Sequence, residues 1–149
     1  MASRQSANHL PYFFIIGHRE DTGLLRAACV AGIAVGVIVR KNRAEYPATK
    51  DRPAYVHDDL MIIYRDSEKG SFRAIFFDNE GHVIHYAIQA SPDENSFQFL
   101  SDASPNSPRF RLTYSKSGPK VLDIKFELAP PGKPDSFSQF IGGKIRRKE

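Results

Sequence analysis

The sequence predicts an all-β protein, built as a single antiparallel up-and-down β-barrel of about eight to ten strands. Apolar and polar residues alternate strictly in residues 109–115 and 121–128, the period of a strand with one buried face. Short polar turns, several containing Gly, separate the apolar runs, and no long amphipathic helix interrupts them. A meander this long avoids bare edges by closing into a barrel, and a two-sheet sandwich is the alternative.

The N-terminal part divides into a polar segment and a first strand. Residues 1–10 are polar and we expect them to be loose, which leaves residues 11–149 as the single barrel domain. The run YFFII at residues 12–16 predicts the first strand, because aromatic and branched residues suit a pleated surface.

Residues 24–59 carry two weaker patterns. The Val and Ile residues of 24–39 favour strands, whereas the Ala and Gly residues weaken that pattern. We expect one or two strands interrupted at Gly32 and Gly36, with a buried helix as the alternative. Residues 40–59 hold two prolines and many charges and predict a loop, although the part up to residue 46 can continue a strand.

The centre of the chain, residues 60–89, reads LMIIYRDSEKGSFRAIFFDNEGHVIHYAIQ and predicts three consecutive antiparallel strands. If DNEG is a four-residue hairpin loop, Phe77 faces His82, and counting outward sets Arg73 opposite Tyr86. The interior face would then carry Arg73, Ile75, Phe77, His82, Ile84, Tyr86 and Ile88. A buried Arg73 would need a counter-anion, and the alternative is that it reaches solvent at a barrel rim.

The late strands give the clearest pattern. A last strand is predicted at residues 137–145, after the proline-rich turn of 130–134. We expect the apolar set of the late strands to point inward and the charged set outward. The inward set is Phe97, Phe99, Phe110, Leu112, Tyr114, Leu122, Ile124 and Phe126, and the outward set is Arg109, Arg111, Asp123, Lys125 and Glu127.

Composition narrows the functional classes. The only cysteine, Cys29, allows no internal disulfide, which fits a reducing compartment. The net charge of +4 is too small to predict a nucleic-acid partner. The longest apolar stretch, residues 27–39, is too short to cross a bilayer and lies too far into the chain for an export signal. We therefore expect a cytoplasmic protein with no membrane partner.

Motifs for catalysis and for metals are weak. His82 and His85 stand three apart, so on one regular strand they point to opposite faces and cannot chelate one ion together. His57 and Asp59 share a face, but the sequence identifies no third ligand. The chain has no Gly-x-Ser-x-Gly elbow and no phosphate-binding glycine loop. We assign no catalytic residue, no metal site and no cofactor.

Four segments carry a family resemblance: HDDLMIIYRD, GSFRAIFFDNEGHVIHY, RFRLTY and KFELAPPG. They resemble a group of uncharacterised bacterial proteins with a lipocalin-like barrel of the calycin type, distantly similar to fatty-acid-binding proteins and nitrobindin-like barrels. The resemblance implies a lumen that holds a small molecule. It does not imply haem, because no His follows His85. Arg19 stands where many such barrels have a plugging Trp, so we expect weaker closure in residues 17–36.

The predicted function is therefore non-catalytic binding of a small apolar or amphipathic ligand in the barrel lumen, including an anionic amphiphile such as a fatty acid. The candidate ligand contacts are Arg73, Phe77, His82, Tyr86 and Tyr114. Two alternatives stay open. One is an enzyme that uses the same cavity with His82 or His85 as general base. The other is a structural module whose core is filled by its own Phe and Tyr side chains.

Overall fold

A computed structural model describes residues 13–14, 26–34 and 37–147 of the chain. Within those residues all regular structure is β-strand, and ten strands form one antiparallel sheet in the order β1-β10-β9-β8-β7-β6-β5-β4-β3-β2. The strands are β1 (Phe13–Phe14), β2 (Arg26–Ala34), β3 (Val37–Tyr46), β4 (Tyr55–Arg65), β5 (Phe72–Asp78), β6 (Val83–Ala90), β7 (Ser96–Ser101), β8 (Arg109–Gly118), β9 (Val121–Ala129) and β10 (Ser138–Arg147). The all-β, up-and-down prediction is confirmed, as are the three central strands.

The sheet is curled, and we call its concave side the inner face. The inner-face core consists of five side chains from five successive strands, β4 to β8: Met61, Ala74, Tyr86, Phe99 and Leu112. A second small cluster joins Ala44 of β3 to Ile145 of β10, two strands near opposite ends of the sheet order. Such a contact requires the sheet to bend round on itself. The side that carries Leu60, Arg73 and His85 is the outer face.

The region from β2 to β4 differs from its prediction in two ways. Gly32 does not interrupt β2, because its Cα pairs with that of Val39 inside the β2–β3 ladder, and the strand alternative is confirmed over the helix for residues 26–34. The loop predicted for residues 40–59 is confined to residues 47–54. The charged residues outside residues 47–54 belong to β3 and β4, and some of them pair across the two strands: Arg43 Nη1 lies 3.0 Å from Asp58 Oδ2.

The predicted register of the β5–β6 hairpin is wrong. Phe77 pairs with Val83, so five residues connect the last pair rather than four. Asp78 closes the turn with backbone bonds to His82 and Gly81, and Gly81 takes a φ of 91°, which favours glycine. One extra residue moves every partner by one position: Ala74 faces Tyr86, and Arg73 faces Ala87.

The faces of the late strands follow the alternation, but burial does not follow it everywhere. Phe99 and Leu112 are buried on the inner face, whereas Phe97, on the same face, is 46% exposed at the end of the sheet. Glu127 lies on the outer face and yet is 4% exposed. Arg111 and Lys125 both bind its carboxylate, and the guanidinium of Arg111 lies 4.0 Å from the ring centroid of Phe137.

Other predictions fall on residues that lie outside those described. They include the loose segment of residues 1–10 and most of the segment 17–36 for which weaker closure was expected. Within the described ranges, no helix is long and apolar enough to cross a membrane.

Candidate functional site

A group of polar side chains lies on the inner face of β3 and β4, and we call it the polar cluster: Arg40, Asn42, His57 and Asp59. The guanidinium of Arg40 forms a very short ion pair with Asp59, and Asn42 Nδ2 donates to the other Asp59 oxygen at 2.8 Å. The Arg40 and Asp59 side chains are only 10% and 4% exposed. Burying two charges costs free energy that only close pairing offsets, so each group depends on the other.

His57 extends the polar cluster toward the edge of the sheet. Its Nδ1 lies 2.9 Å from Glu80 Oε1 in the β5–β6 turn, and its Nε2 lies 3.5 Å from Asp59 Oδ2. The neighbouring Asp59 and Glu80 carboxylates raise the pKa of His57 from 6.5 to about 9, against the opposing effect of burial. His57 is therefore a cation at neutral pH. Two cations, Arg40 and His57, then balance two anions, Asp59 and Glu80.

Tyr114 connects the polar cluster to the far side of the curled sheet. Arg40 Nη1 donates to the hydroxyl of Tyr114 at 3.2 Å. The ring of Tyr114 packs edge-on against Phe99, with centroids 5.8 Å apart. Tyr114 therefore places a phenol at the boundary between the polar cluster and the apolar core.

Tyr86 supplies a second phenol on the inner face. The residue is only 1% exposed, yet none of the described residues forms a hydrogen bond with its hydroxyl. Burial raises the pKa of Tyr86, so the group stays a neutral phenol that can both donate and accept a hydrogen bond. A tyrosine hydroxyl in an apolar core usually has a partner. The Tyr86 oxygen is not among the fully buried unpaired atoms of the described residues, so a partner from outside the chain can reach it.

Three large apolar side chains on the inner face are exposed at the end of the sheet where β3, β5 and β7 begin. We call them the apolar mouth: Ile38, Phe72 and Phe97, which are 39%, 56% and 46% exposed. The mouth adjoins Arg40 and Tyr114. Ile38 is two residues before Arg40 on the same strand face, and Phe97 pairs with Tyr114.

The outer face has an open depression of about 530 Å³ between β3, β4 and β5. Leu60 and Phe77 provide apolar surface there, with Lys41, Arg43 and Asp58 around them. Phe77 is 37% exposed. This depression is separated from the mouth by the thickness of the sheet.

The structure separates the five predicted ligand contacts. Tyr86 and Tyr114 share the inner face, and Phe77 lies on the outer face in the depression. Arg73 lies on the outer face beside Tyr64, so its predicted place in the lumen is wrong. His82 is exposed in the turn, where its Nδ1 lies 2.8 Å from Asp78 Oδ2, and it is not part of the inner face. The predicted four-residue turn grouped Phe77, Arg73 and His82 on one face with Tyr86, and the observed five-residue turn separates all three from it.

The polar cluster was largely missed because its residues were assigned to a loop. Polar residues spaced two apart, Arg40 with Asn42 and His57 with Asp59, are the signal that could have placed them on one strand face. The general base proposed in the enzyme alternative is not placed in the cavity, because His85 is exposed on the outer face. In the described part of the chain, no set of three or more His, Cys, Asp or Glu side chains is arranged to hold a metal ion.

The chain was compared with protein-family models and with curated proteins, and neither comparison finds a match.

Proposed function

We propose that the protein binds a small apolar or amphipathic molecule at the inner face of a lipocalin-like barrel, without catalysis. The observation that carries this proposal is the apolar mouth. A sheet that only needed a filled core would bury Ile38, Phe72 and Phe97, because exposed apolar area costs about 25 cal/mol per Å². Three such side chains on the concave side of one sheet end form a surface that suits an apolar ligand.

Two contacts support closure of the sheet into a barrel. β1 pairs with β10 at Phe13–Arg147 and Phe14–Arg146, and it also approaches β2 at the other end of the strand order. Ala44 and Ile145 pack together across the interior. A closed sheet of this size encloses room for side chains or for one small ligand.

Ligand depth is limited by the core below the mouth. Met61 and Tyr86 are fully buried in the middle of the inner face, so a ligand would lie on the half-buried Ile63 and Ile88, above them. The same burial favours the structural module with a filled core as the second candidate function. A binding measurement separates the two.

The chain offers a matched pair of variants for that measurement. Phe97 and Phe77 are similarly exposed phenylalanines of the same sheet, but they lie on opposite faces and toward opposite ends of it. The neutral apolar dye N-phenyl-1-naphthylamine should bind the wild-type protein with a rise in fluorescence. Phe97→Thr should weaken its affinity about tenfold, because one large apolar contact is lost. Phe77→Thr should leave the affinity within about twofold of wild type.

Two results would contradict the proposal. Absence of dye binding to the wild-type protein would favour the filled core. Loss of affinity in Phe77→Thr but not in Phe97→Thr would place binding in the outer depression. Circular dichroism of both variants checks that the sheet is retained, and Thr is chosen because it suits strands.

A further inference from the structure

We infer that the ligand carries an uncharged polar group and that this group hydrogen-bonds to the hydroxyl of Tyr86. The inference rests on the proposed function, because it concerns the same inner-face site. It names the chemical class of the ligand: an amphiphile with an alcohol, ester, ketone or amide head rather than a carboxylate.

Tyr86 is only 1% exposed as a residue, and its hydroxyl has no hydrogen-bond partner among the residues that the structure describes. The hydroxyl oxygen is not one of the fully buried atoms left unpaired in the described residues, so it keeps a little accessible surface. Phe would fill the same space without a polar atom to satisfy. A phenol at such a position is explained if a small molecule supplies its partner.

Tyr86 lies two residues along β6 from the half-buried Ile88, a rise of about 7 Å, and its ring packs edge-on against Phe99 with centroids 6.3 Å apart. A ligand whose apolar part lies on Phe97 and Ile88 therefore reaches Tyr86 with a polar group at its inner end. Tyr114 pairs with Phe97, so its ring lies beside the apolar part of the ligand.

Arg40 would attract a carboxylate if it were unmatched, but Asp59 already binds its guanidinium. Glu80 balances the other cation, His57. A carboxylate brought next to the polar cluster, whose two cations are paired with Asp59 and Glu80, would lose its hydration without gaining an unpaired cation. An uncharged head group loses much less hydration free energy. The hydroxyl of Tyr86 can form a hydrogen bond with it.

The test compares two competitors of equal chain length, dodecan-1-ol and dodecanoate, for displacement of N-phenyl-1-naphthylamine at pH 7. Wild-type protein should bind the alcohol more tightly than the carboxylate. Tyr86→Phe should weaken the alcohol about two- to tenfold, the range of one neutral hydrogen bond, while the affinity for the dye stays unchanged. Tyr64→Phe, a tyrosine on the outer face of β4, is the matched control and should change nothing.

A stability measurement gives a second readout. Since the hydroxyl has no partner in the described residues, Tyr86→Phe should melt at or above the wild-type Tm. A clear drop in Tm would show that the hydroxyl is satisfied within the protein and would overturn the inference.

The binding outcomes separate the two proposals. Tighter binding of dodecanoate, equal displacement by both competitors, or equal alcohol affinity in Tyr86→Phe and wild type would overturn the head-group inference alone. If the dye binds and neither dodecan-1-ol nor dodecanoate displaces it, the head-group inference is overturned as well. Failure of the wild-type protein to bind the dye would overturn the proposed function and, with it, this inference.

Discussion

Arg40 Nη1 on β3 donates a hydrogen bond of 3.2 Å to the hydroxyl of Tyr114 on β8, although 74 positions of sequence separate the two residues. Strands β4 to β7 lie between them in the sheet. The bond therefore crosses the concavity rather than following the sheet. It joins the buried Arg40–Asp59 pair to the aromatic core, and it depends on the curvature of the whole sheet.

The Arg40–Asp59 pair should behave as a coupled unit. Arg40→Met should lower the free energy of unfolding by about 3–5 kcal/mol, because it leaves the Asp59 carboxylate buried without its guanidinium. The double variant Arg40→Met/Asp59→Asn removes the orphaned charge and should recover at least half of that loss. Urea denaturation of the two single variants and the double variant gives the coupling energy. Additive losses would show that the two groups act independently.

His57 should make stability fall at alkaline pH. Its pKa is raised in the folded protein to about 9 from 6.5, so the stability it contributes is complete below pH 6.5 and is lost as the pH rises through about 9. With allowance for its partial exposure, the wild-type protein should lose about 1–2 kcal/mol over this range relative to His57→Gln. Urea denaturation at several pH values measures the difference. His85→Gln, at an exposed outer-face position, should keep the wild-type pH dependence.

Glu127 should stabilise the outer face in the opposite pH range. Arg111, opposed by burial and helped by Lys125, lowers the pKa of Glu127 to about 2 from 4.5. Its contribution is present above pH 4.5 and disappears as the pH falls through about 2. Glu127→Gln should therefore cost about 2 kcal/mol at pH 7, and the cost should vanish in strong acid. The exposed Glu45, paired with Arg43, is the control, and Glu45→Gln should cost less than about 0.5 kcal/mol. An equal cost for both variants would contradict the buried pair.

The hairpin register can be tested with two alanines. Ala74 faces Tyr86 on the inner face and is 1% exposed, whereas Ala87 faces Arg73 on the outer face. Ala74→Asp should destabilise the protein by more than about 3 kcal/mol, because it buries an unpaired charge. Ala87→Asp should be tolerated, since the new carboxylate lies opposite a guanidinium. Thermal melts of both variants decide the matter. Equal tolerance of the two substitutions would favour the four-residue turn, which places both alanines on the outer face.

Local pattern alone determined the strands and their relative faces. Leu112 and Arg111 were assigned to opposite faces because successive side chains on a strand point to opposite sides, and this needs no knowledge of the partner strand. The polar turns likewise marked where β4, β5 and β6 end. Such information is carried by neighbouring residues, so one sequence contains it.

Tertiary structure decided the rest, because it depends on how strands meet. The turn before Val83 has one residue more than predicted, which places Arg73 on the outer face and not in the predicted lumen. The types of residue in a turn do not specify how many of them the turn contains. The buried place of Arg40 follows from Asp59 on the next strand and Tyr114 across the cavity, and those partners are brought near only when the sheet curls. A charge that the sequence assigns to water can therefore lie inside the fold when distant residues supply its counter-charge and its hydrogen bonds.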